Sequence, residues 1–461
     1  MAQFLAKNWF AQSVVYHIYP LGMLGCETFN DDGPVRHRLP ELTRLIPHLC
    51  RIGVNAVYIG PVFESVRHGY DTRDYCRIDR RLGDNDDFAR LVRELHDAGI
   101  RVIVDAVLNH TSREFWAFCE AQEQGKKART WNWYKQMQFD KKHRLQCSTW
   151  HGYPELVELN LENPDVRQYL LDVVSLWVES FDIDGLRLDT ADCLDLGFIR
   201  ALRAHTDKLK KDFVLFGEIS YGDCTKWAGP DMLHGATDYE SYHCLYQSHN
   251  EGNYHKIAQL LERLYGGQGA YASLWMYTFA DNHDNDRIAS RLKKPQSLYP
   301  LYALLFTMPG TPSIYYGSEW GIVGKRTQGY DADLPIRPAI SAAELSNGHL
   351  RESIESASLC AWISKLAHIR VQSEALCSGG FRIIDVSDRL LVFERYTNNE
   401  SIYCVISDDS AERRVSISIK NGEYTDYLTG DSFNVSDNVL DIGITPYGAR
   451  VLIAHHSFGS L

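Results

Sequence analysis

The chain has 461 residues, 44% of them hydrophobic and 23% charged, with a formal net charge of −12 at neutral pH. These values exclude a disordered or collagen-like chain, and the acidic balance argues against a nucleic-acid partner, whose phosphates call for basic side chains. No apolar run reaches 18 residues, so no helix is predicted to span a membrane.

The first twenty residues, MAQFLAKNWFAQSVVYHIYP, lack a continuous apolar core and a small-residue cleavage site, so no signal peptide is predicted. Eleven cysteines lie scattered from Cys26 to Cys404 with no C-x-x-C pair. That usage fits a reducing cytoplasm, with the thiols mostly buried as small hydrophobes, and leaves the sequons at Asn399 and Asn434 without meaning.

Short apolar segments rich in Val, Ile and Tyr predict strands at 14–19, 56–59, 102–106, 185–188, 214–216, 274–279 and 313–316, with a weaker one near 232–235. Between them lie helical patterns at 39–52, 87–98, 166–181 and 254–264. In 87–98, Phe88, Leu91, Val92 and Leu95 recur at helical spacing. Apolar strands alternating with amphipathic helices over about 350 residues favour a closed (β/α)8 barrel, with a doubly wound sheet as the alternative. The stretch 111–162 breaks this alternation and carries Trp131, Trp133, Tyr134, Trp150 and Tyr153, which suggests an inserted subdomain whose aromatics serve either core packing or stacking on a flat ligand. After a helix at 359–371, period-2 segments read as a separate antiparallel β region over 378–461, with Asn421-Gly422 as a hairpin signal.

In a barrel, reactive groups sit at the C-terminal ends of strands. Here the third strand is followed by Asp105, Asn109 and His110, the fourth brings Arg187 and Asp189, the fifth Glu218, and the seventh His283 and Asp284. One such Asp is commonly a helix cap. Four strand ends with charged residues inside apolar frames point to a shared site, because grouping charges away from water is costly.

These four segments resemble the signature regions of the α-amylase family of glycoside hydrolases (family 13), and Arg67-His68-Gly69-Tyr70-Asp71-Thr72-Arg73-Asp74-Tyr75 resembles the family's motif after the second strand. The resemblance implies a TIM barrel formed by 1–110 and 163–377, a domain B at 111–162 inserted after strand 3, and a C-terminal antiparallel β-sandwich at 378–461. It implies Asp189 as nucleophile, Glu218 as acid/base and Asp284 as the third carboxylate. Arg187 would keep Asp189 ionised, His68, Tyr70, His110 and His283 would bind the sugar, and Tyr70 would offer its ring to a pyranose face. No cofactor is required on this reading. Asn109 matches a position that often ligates calcium in the family, but the insert shows no identifiable partner carboxylate, and calcium stays open. Tyr315 and Tyr316 read as core. Trp320 and Arg326, in the loop 317–337, read as cleft contacts.

At 156–160 the chain has LVELN, which keeps only the Leu-Asn of the markers separating α-1,4 from α-1,6 specialists in the family. Gly217-Glu218-Ile219 and Asp189-Thr190-Ala191-Asp192 lean toward cyclomaltodextrinases and neopullulanases. The first barrel strand begins near residue 14, so the N-terminal dimerisation module of those enzymes is expected to be absent, and the oligomeric state, a homodimer included, stays open. The resemblance implies a cytoplasmic retaining hydrolase of short or cyclic α-gluco-oligosaccharides. A transglycosylase or isomerase using the same intermediate, and a non-catalytic carbohydrate-binding member, are the alternatives.

Overall fold

A computed structural model describes residues 8–329, 331–347 and 354–455. The first seven residues of the segment read for a leader, Tyr330 of the 317–337 loop and the last six residues of the predicted β region lie outside the described residues.

Eight short strands form one parallel sheet: β1 (Val15–Ile18), β2 (Ala56–Ile59), β3 (Arg101–Ala106), β4 (Gly185–Leu188), β5 (Val214–Gly217), β6 (Gly235–Ala236), β7 (Tyr277–Phe279) and β8 (Thr311–Tyr315). Their order is β6-β5-β4-β3-β2-β1-β8-β7. A parallel bridge between Thr237 and Tyr277 joins the two outer strands, so the sheet is a nearly closed barrel. Apart from Arg101 at the entry of β3, every residue of these strands is buried. Such strands lack the polar–apolar alternation of a half-exposed sheet, hence the short apolar runs in the sequence.

The connecting helices start where side chains satisfy their free N–H groups. Asp84 and Asp87 form a capping box on Asn85–Asp97. Asn163 caps Pro164–Phe181, Asp195 caps Leu196–Leu209 and Asp238 caps Tyr239–Glu251. The helix predicted over 39–52 is instead two short ones, Pro40–Thr43 and Ile46–Arg51. The reason is Pro47, which has no N–H to donate inside a continuing helix and sits in the first turn of a new one. The weak sixth strand is shifted from the predicted 232–235 to Gly235–Ala236, and the seventh is shorter than predicted.

Between β3 and β4, His110–Thr111 pairs antiparallel with Val157–Glu158, and Gln138–Phe139 with Leu145–Gln146. Trp131, Trp133 and Tyr134 are buried there, so packing accounts for those three.

Beyond the helix Ile354–Gln372 lie β9 (Gly380–Ser387), β10 (Leu390–Tyr396), β11 (Ser401–Ser407), β12 (Arg413–Ser418), β13 (Gly422–Asp426), β14 (Ser432–Val435), β15 (Val439–Ile444) and β16 (Ala449–His455). They make a six-stranded antiparallel sheet, β9-β10-β11-β16-β13-β14, and a separate pair, β12-β15. Val392 and Val405 from the first share a core with Val415, Ile417, Leu440 and Ile442 from the second. Asn421-Gly422 is not a hairpin turn. β12 pairs with β15 and β13 with β14 and β16, so the chain crosses between sheets at this dipeptide, where the Asn438 N–H donates to Asn421 Oδ1 at 2.7 Å.

Buried Arg395 ties this β region to the barrel, and buried Arg370, on the helix Ile354–Gln372, bonds to the same part of the barrel. Arg395 donates to the carbonyls of Thr307 (2.9 Å), Gly379 (3.0 Å) and Gly380 (3.2 Å), and Arg370 donates to those of Phe306 and Met308. Both cations face the carbonyl end of the helix Leu298–Thr307, where its dipole favours positive charge. All eleven cysteines are free thiols, but only Cys224, Cys360, Cys377 and Cys404 are buried and Cys50 is exposed, contrary to the expectation that most would be.

Gly235 marks the tightest approach in the barrel wall: a Cβ there would lie 1.8 Å from the carbonyl oxygen of Trp275. Gly235→Ala should therefore destabilise the fold by about 1–3 kcal/mol, as overpacking does. Thermal unfolding reads this directly, and an unchanged midpoint would show that the backbone of Trp275 yields without strain.

Candidate active site

Arg187, fully inside the barrel on β4, is the centre of the site. Its Nη1 donates to Asp105 Oδ1 at 2.8 Å and to Asp189 Oδ1 at 2.9 Å, and its Nη2 lies 2.8 Å from Glu218 Oε2. Three strands supply the three carboxylates: Asp105 is on β3, Asp189 follows β4 and Glu218 follows β5. In register Arg187 faces Asp105 across one side and Phe216 across the other, so the barrel's own pairing sets this meeting. Asp105 Oδ2 also accepts from Tyr58 (2.7 Å) and Tyr70 (2.9 Å). Glu218 accepts from the Thr190 N–H at 3.2 Å and from the Tyr239 hydroxyl at 3.3 Å.

A second arm starts at Asp284. Its Oδ2 lies 3.1 Å from His283 Nε2, and its Oδ1 accepts from Arg337 Nη2 at 2.8 Å. Arg337 also donates to the His283 carbonyl (2.7 Å) and to Asp333 (2.9 Å). The Tyr70 hydroxyl, 2.5 Å from His283 Nε2, connects the two arms, and its ring stacks on His283 with centroids 5.5 Å apart. His110 Nε2 lies 3.1 Å from the Tyr70 carbonyl, and His68 Nδ1 accepts from the Tyr70 N–H at 3.3 Å. The eight residues to which the resemblance gives catalytic or sugar-binding roles, Asp189, Glu218, Asp284, Arg187, His68, Tyr70, His110 and His283, thus fall into one connected group.

Electrostatics refines the expectation for Asp189. Burial and the neighbouring Glu218 push its carboxyl well up while Arg187 pulls it down, and burial also raises Glu218. Arg187 is shared among three carboxylates, so it does not hold Asp189 ionised by itself. Asp284 behaves oppositely: despite burial, His283 and Arg337 hold it well below the usual carboxylate range. Burial pushes His110 down to about 3 and lowers His68, so both imidazoles are neutral near pH 7.

Residues 38–365 match the catalytic domain of the α-amylases. The chain belongs to the α-amylase family of glycoside hydrolases. It is 28% identical, over 96% of its length, to a cyclomaltodextrinase from Geobacillus thermopakistaniensis, of which it covers 77%. It is 29% identical, over 97% of its length, to neopullulanase 2 from Thermoactinomyces vulgaris, of which it covers 79%. Among solved structures, the complex of cyclic alpha-maltosyl-(1→6)-maltose hydrolase from Arthrobacter globiformis shares the fold, with a TM-score of 0.79 at 24% identity over 98% of this chain and all of that one.

Several members of the site were not singled out from the sequence. Arg337 stands at the end of a long loop with no flanking motif, and Tyr58, Tyr239 and Asn282 are single residues in or beside apolar strands. Asn282 donates to the Tyr239 hydroxyl at 3.1 Å and thereby fixes the group that touches Glu218. Trp320 does not contact this group: its ring stacks on His48, on the helix Ile46–Arg51. Arg326 pairs with Asp333, beside Arg337. In the insert, Trp150 lies 5.7 Å from His110 and stacks on Tyr153, which is 52% exposed, so these two aromatics border the site. Tyr315 and Tyr316 are core residues, as expected.

Asn109 Oδ1 is buried with no protein partner among the described residues, which would suit a cation. One oxygen does not make a calcium cage. The single cluster of three or more acidic, His or Cys ligands among the described residues is His37, Asp84 and Asp87, at a helix cap remote in sequence from Asn109. The residues present do not fit a calcium site at Asn109.

Because Asp189 and Glu218 are both raised, their ionised forms are disfavoured in the folded chain, and stability falls as the pH rises through their folded-state values. Asp189→Asn removes one of these charges without changing shape. The thermal midpoint of D189N, measured against wild type, should gain between pH 5 and pH 8. A difference that stays flat with pH would mean that Arg187 fully compensates both carboxylates.

Proposed function

We propose that this glycoside hydrolase is a retaining enzyme that cleaves α-glucosidic bonds, mainly α-1,4 with α-1,6 as a second linkage, in short or cyclic α-gluco-oligosaccharides. The observation that carries the reading is the single guanidinium of Arg187 holding Asp189 and Glu218 side by side. Double displacement needs two close carboxyls, about 5–5.5 Å apart, one ionised and one protonated. The names of the similar proteins, a cyclomaltodextrinase, a neopullulanase and a hydrolase of a cyclic maltosyl-maltose, support the substrate class.

One proton on the Asp189–Glu218 pair suits the first step. With that proton on Glu218, Asp189 is the ionised partner of Arg187. An Asp189 oxygen attacks the anomeric carbon, the glycosidic C–O bond breaks, and the Glu218 proton passes to the leaving oxygen. In the second step Glu218 takes a proton from water, whose oxygen displaces Asp189 from the same carbon and restores the α configuration. Asp284, kept ionised by His283 and Arg337, stabilises the positive charge that builds on the ring and accepts hydrogen bonds from its hydroxyls. Neutral His110 and the Tyr70 ring position the sugar, with His68 behind Tyr70.

Beyond Glu218 a cavity of about 530 Å³ opens, lined by Tyr221, Tyr239, Glu240, His243, Arg263 and Tyr271. It offers room for a leaving glucosyl unit on the acid/base side. The division into a barrel (1–110 and 163–377), an insert (111–162) and a C-terminal β-sandwich (378–461) belongs to the same reading. It is supported by the pairing of residues 110–111 with 157–158 and by the core shared between the two C-terminal sheets. A cytoplasmic location belongs to the same reading, with the eleven free thiols in its support.

Asp189→Asn should lower kcat on maltotriose by roughly three orders of magnitude or more, and retained turnover would sink its assignment as nucleophile. Incubation with maltotriose, a cyclodextrin and pullulan, with anomers followed by NMR, should give shorter or linear products that appear first as the α-anomer. Initial β-anomer would overturn double displacement, and longer or rearranged products would make the enzyme a transferase or isomerase.

A further inference from the structure

Glu218 is bonded differently at its two carboxyl oxygens. Oε2 lies 2.8 Å from Arg187 Nη2 and accepts from the Thr190 N–H at 3.2 Å. Both neighbours can only donate, so Oε2 serves as an acceptor on two sides. An unusual backbone places the Thr190 amide: its φ of 41° and ψ of 48° are left-handed, a conformation rare for a β-branched residue. The same turn sends the Ala191 N–H to the Glu218 carbonyl at 2.9 Å. Gly217 allows this approach, because a Cβ there would lie 2.5 Å from that of Ala191. The hold on Oε2 is thus built into the exits of β4 and β5.

Oε1 has one hydrogen-bond partner among the described residues, the Tyr239 hydroxyl at 3.3 Å. Tyr239 opens the helix Tyr239–Glu251, just after β6. Asn282 decides which way this bond runs. Its Oδ1 accepts from the Asp284 N–H at 3.0 Å and from Asn285 Nδ2 at 2.7 Å. A backbone N–H can only donate, so that atom of the amide is the oxygen and the other is the NH2 group. Asn282 Nδ2 then donates to the Tyr239 oxygen at 3.1 Å. With a donor already facing its oxygen, Tyr239 turns its one hydrogen to Glu218 Oε1.

Resting on the reading that Glu218 is the acid/base group, we propose that its transferable proton sits on Oε1 and that Tyr239 is the positioning residue that aims it. Oε2, engaged by two donors, has no place for a hydrogen. The Tyr239 hydrogen occupies one side of Oε1, so the Oε1–H bond turns away from Tyr239 and is left for the glycosidic oxygen. In the first step the proton passes from Oε1 to that oxygen as its bond to the anomeric carbon breaks, and the O–H electron pair stays on Oε1. Tyr239 then donates to a full carboxylate, and such charge-assisted bonds are the stronger ones. Glu218 is faced by Arg187 and Asp189 from β4, by His283 and Asp284 from β7, and by Tyr239 from beyond β6. Phenylalanine at 239 keeps the ring and loses only the donor, so Glu218 should hold its proton to higher pH.

Tyr239→Phe tests this with two substrates. On maltotriose its kcat/KM should fall roughly tenfold, a modest share of what a positioned acid contributes. On α-maltosyl fluoride, whose fluoride leaves without a proton, kcat/KM should stay within about twofold of wild type. The basic limb of the maltotriose profile should move up by about one pH unit, as for one lost hydrogen bond to a charged group. The thermal midpoint should stay near wild type. Equal losses on both substrates, or an unmoved basic limb, would make Tyr239 merely structural and overturn the proposal. Neutron diffraction from wild-type crystals at about pH 4.5, near the ordinary glutamate value above which burial raises Glu218, should show deuterium on Oε1. Deuterium on Oε2, or on neither oxygen, overturns the proposal, and this result needs no substrate. Glu218→Gln keeps the two readings apart: retained turnover of maltotriose would remove Glu218 as the acid, whereas its loss beside an unaffected Tyr239→Phe would remove only the role of Tyr239.

Discussion

The guanidinium of Arg187 is, among the described residues, the one cation bonded to all three of Asp105, Asp189 and Glu218, and the site depends on how that charge is divided. A planar fork can serve Asp105 and Asp189 from one nitrogen and Glu218 from the other, which a lysine ammonium could not do with the same fixed geometry. Three negative charges around one positive charge in a buried place cannot all persist. Burial therefore raises both Asp189 and Glu218 against the pull of Arg187, with Glu218 adding to the rise at Asp189. The imbalance that weakens the fold is the same one from which the proposed mechanism draws its acid.

Asp284 is arranged on the opposite principle. It draws on two partners, the ring of His283 and the guanidinium of Arg337, one adjacent in sequence and the other brought in by the loop after β8. Its charge is stabilised rather than shared, which suits the part the proposed mechanism gives it, staying negative while positive charge develops on a sugar ring. Tyr70 ties the two electrostatic regimes together by donating to Asp105 and accepting from His283. A change at either arm is thereby transmitted to the other through hydrogen-bond direction alone.

Much of this was legible in the residue order. The central barrel strands lay where apolar runs placed them, because strands buried on both faces cannot hide among polar residues. Departures came where local signals compete with context. Pro47 split a helix that periodicity alone would have continued. Asn421-Gly422, a strong turn dipeptide, serves a crossing between sheets because β12 finds its partner in β15, from which it is separated in sequence. The insert aromatics divided: Trp131, Trp133 and Tyr134 went into packing, while Trp150 and Tyr153 face the site, and nothing in their spacing distinguishes the two sets.

By itself the sequence determined the barrel alternation, the four strand ends that carry charge, and the eight side chains that meet there, because each of these is written in local patterns of polarity and in motif. Only the tertiary structure decided that Arg187 is shared, that Asp189 is raised while Asp284 is lowered, and that Arg337 joins Asp284. These depend on which strands are neighbours and how far each side chain reaches. Charge state follows the distances and burial that folding creates, and no order of residues along a chain states them.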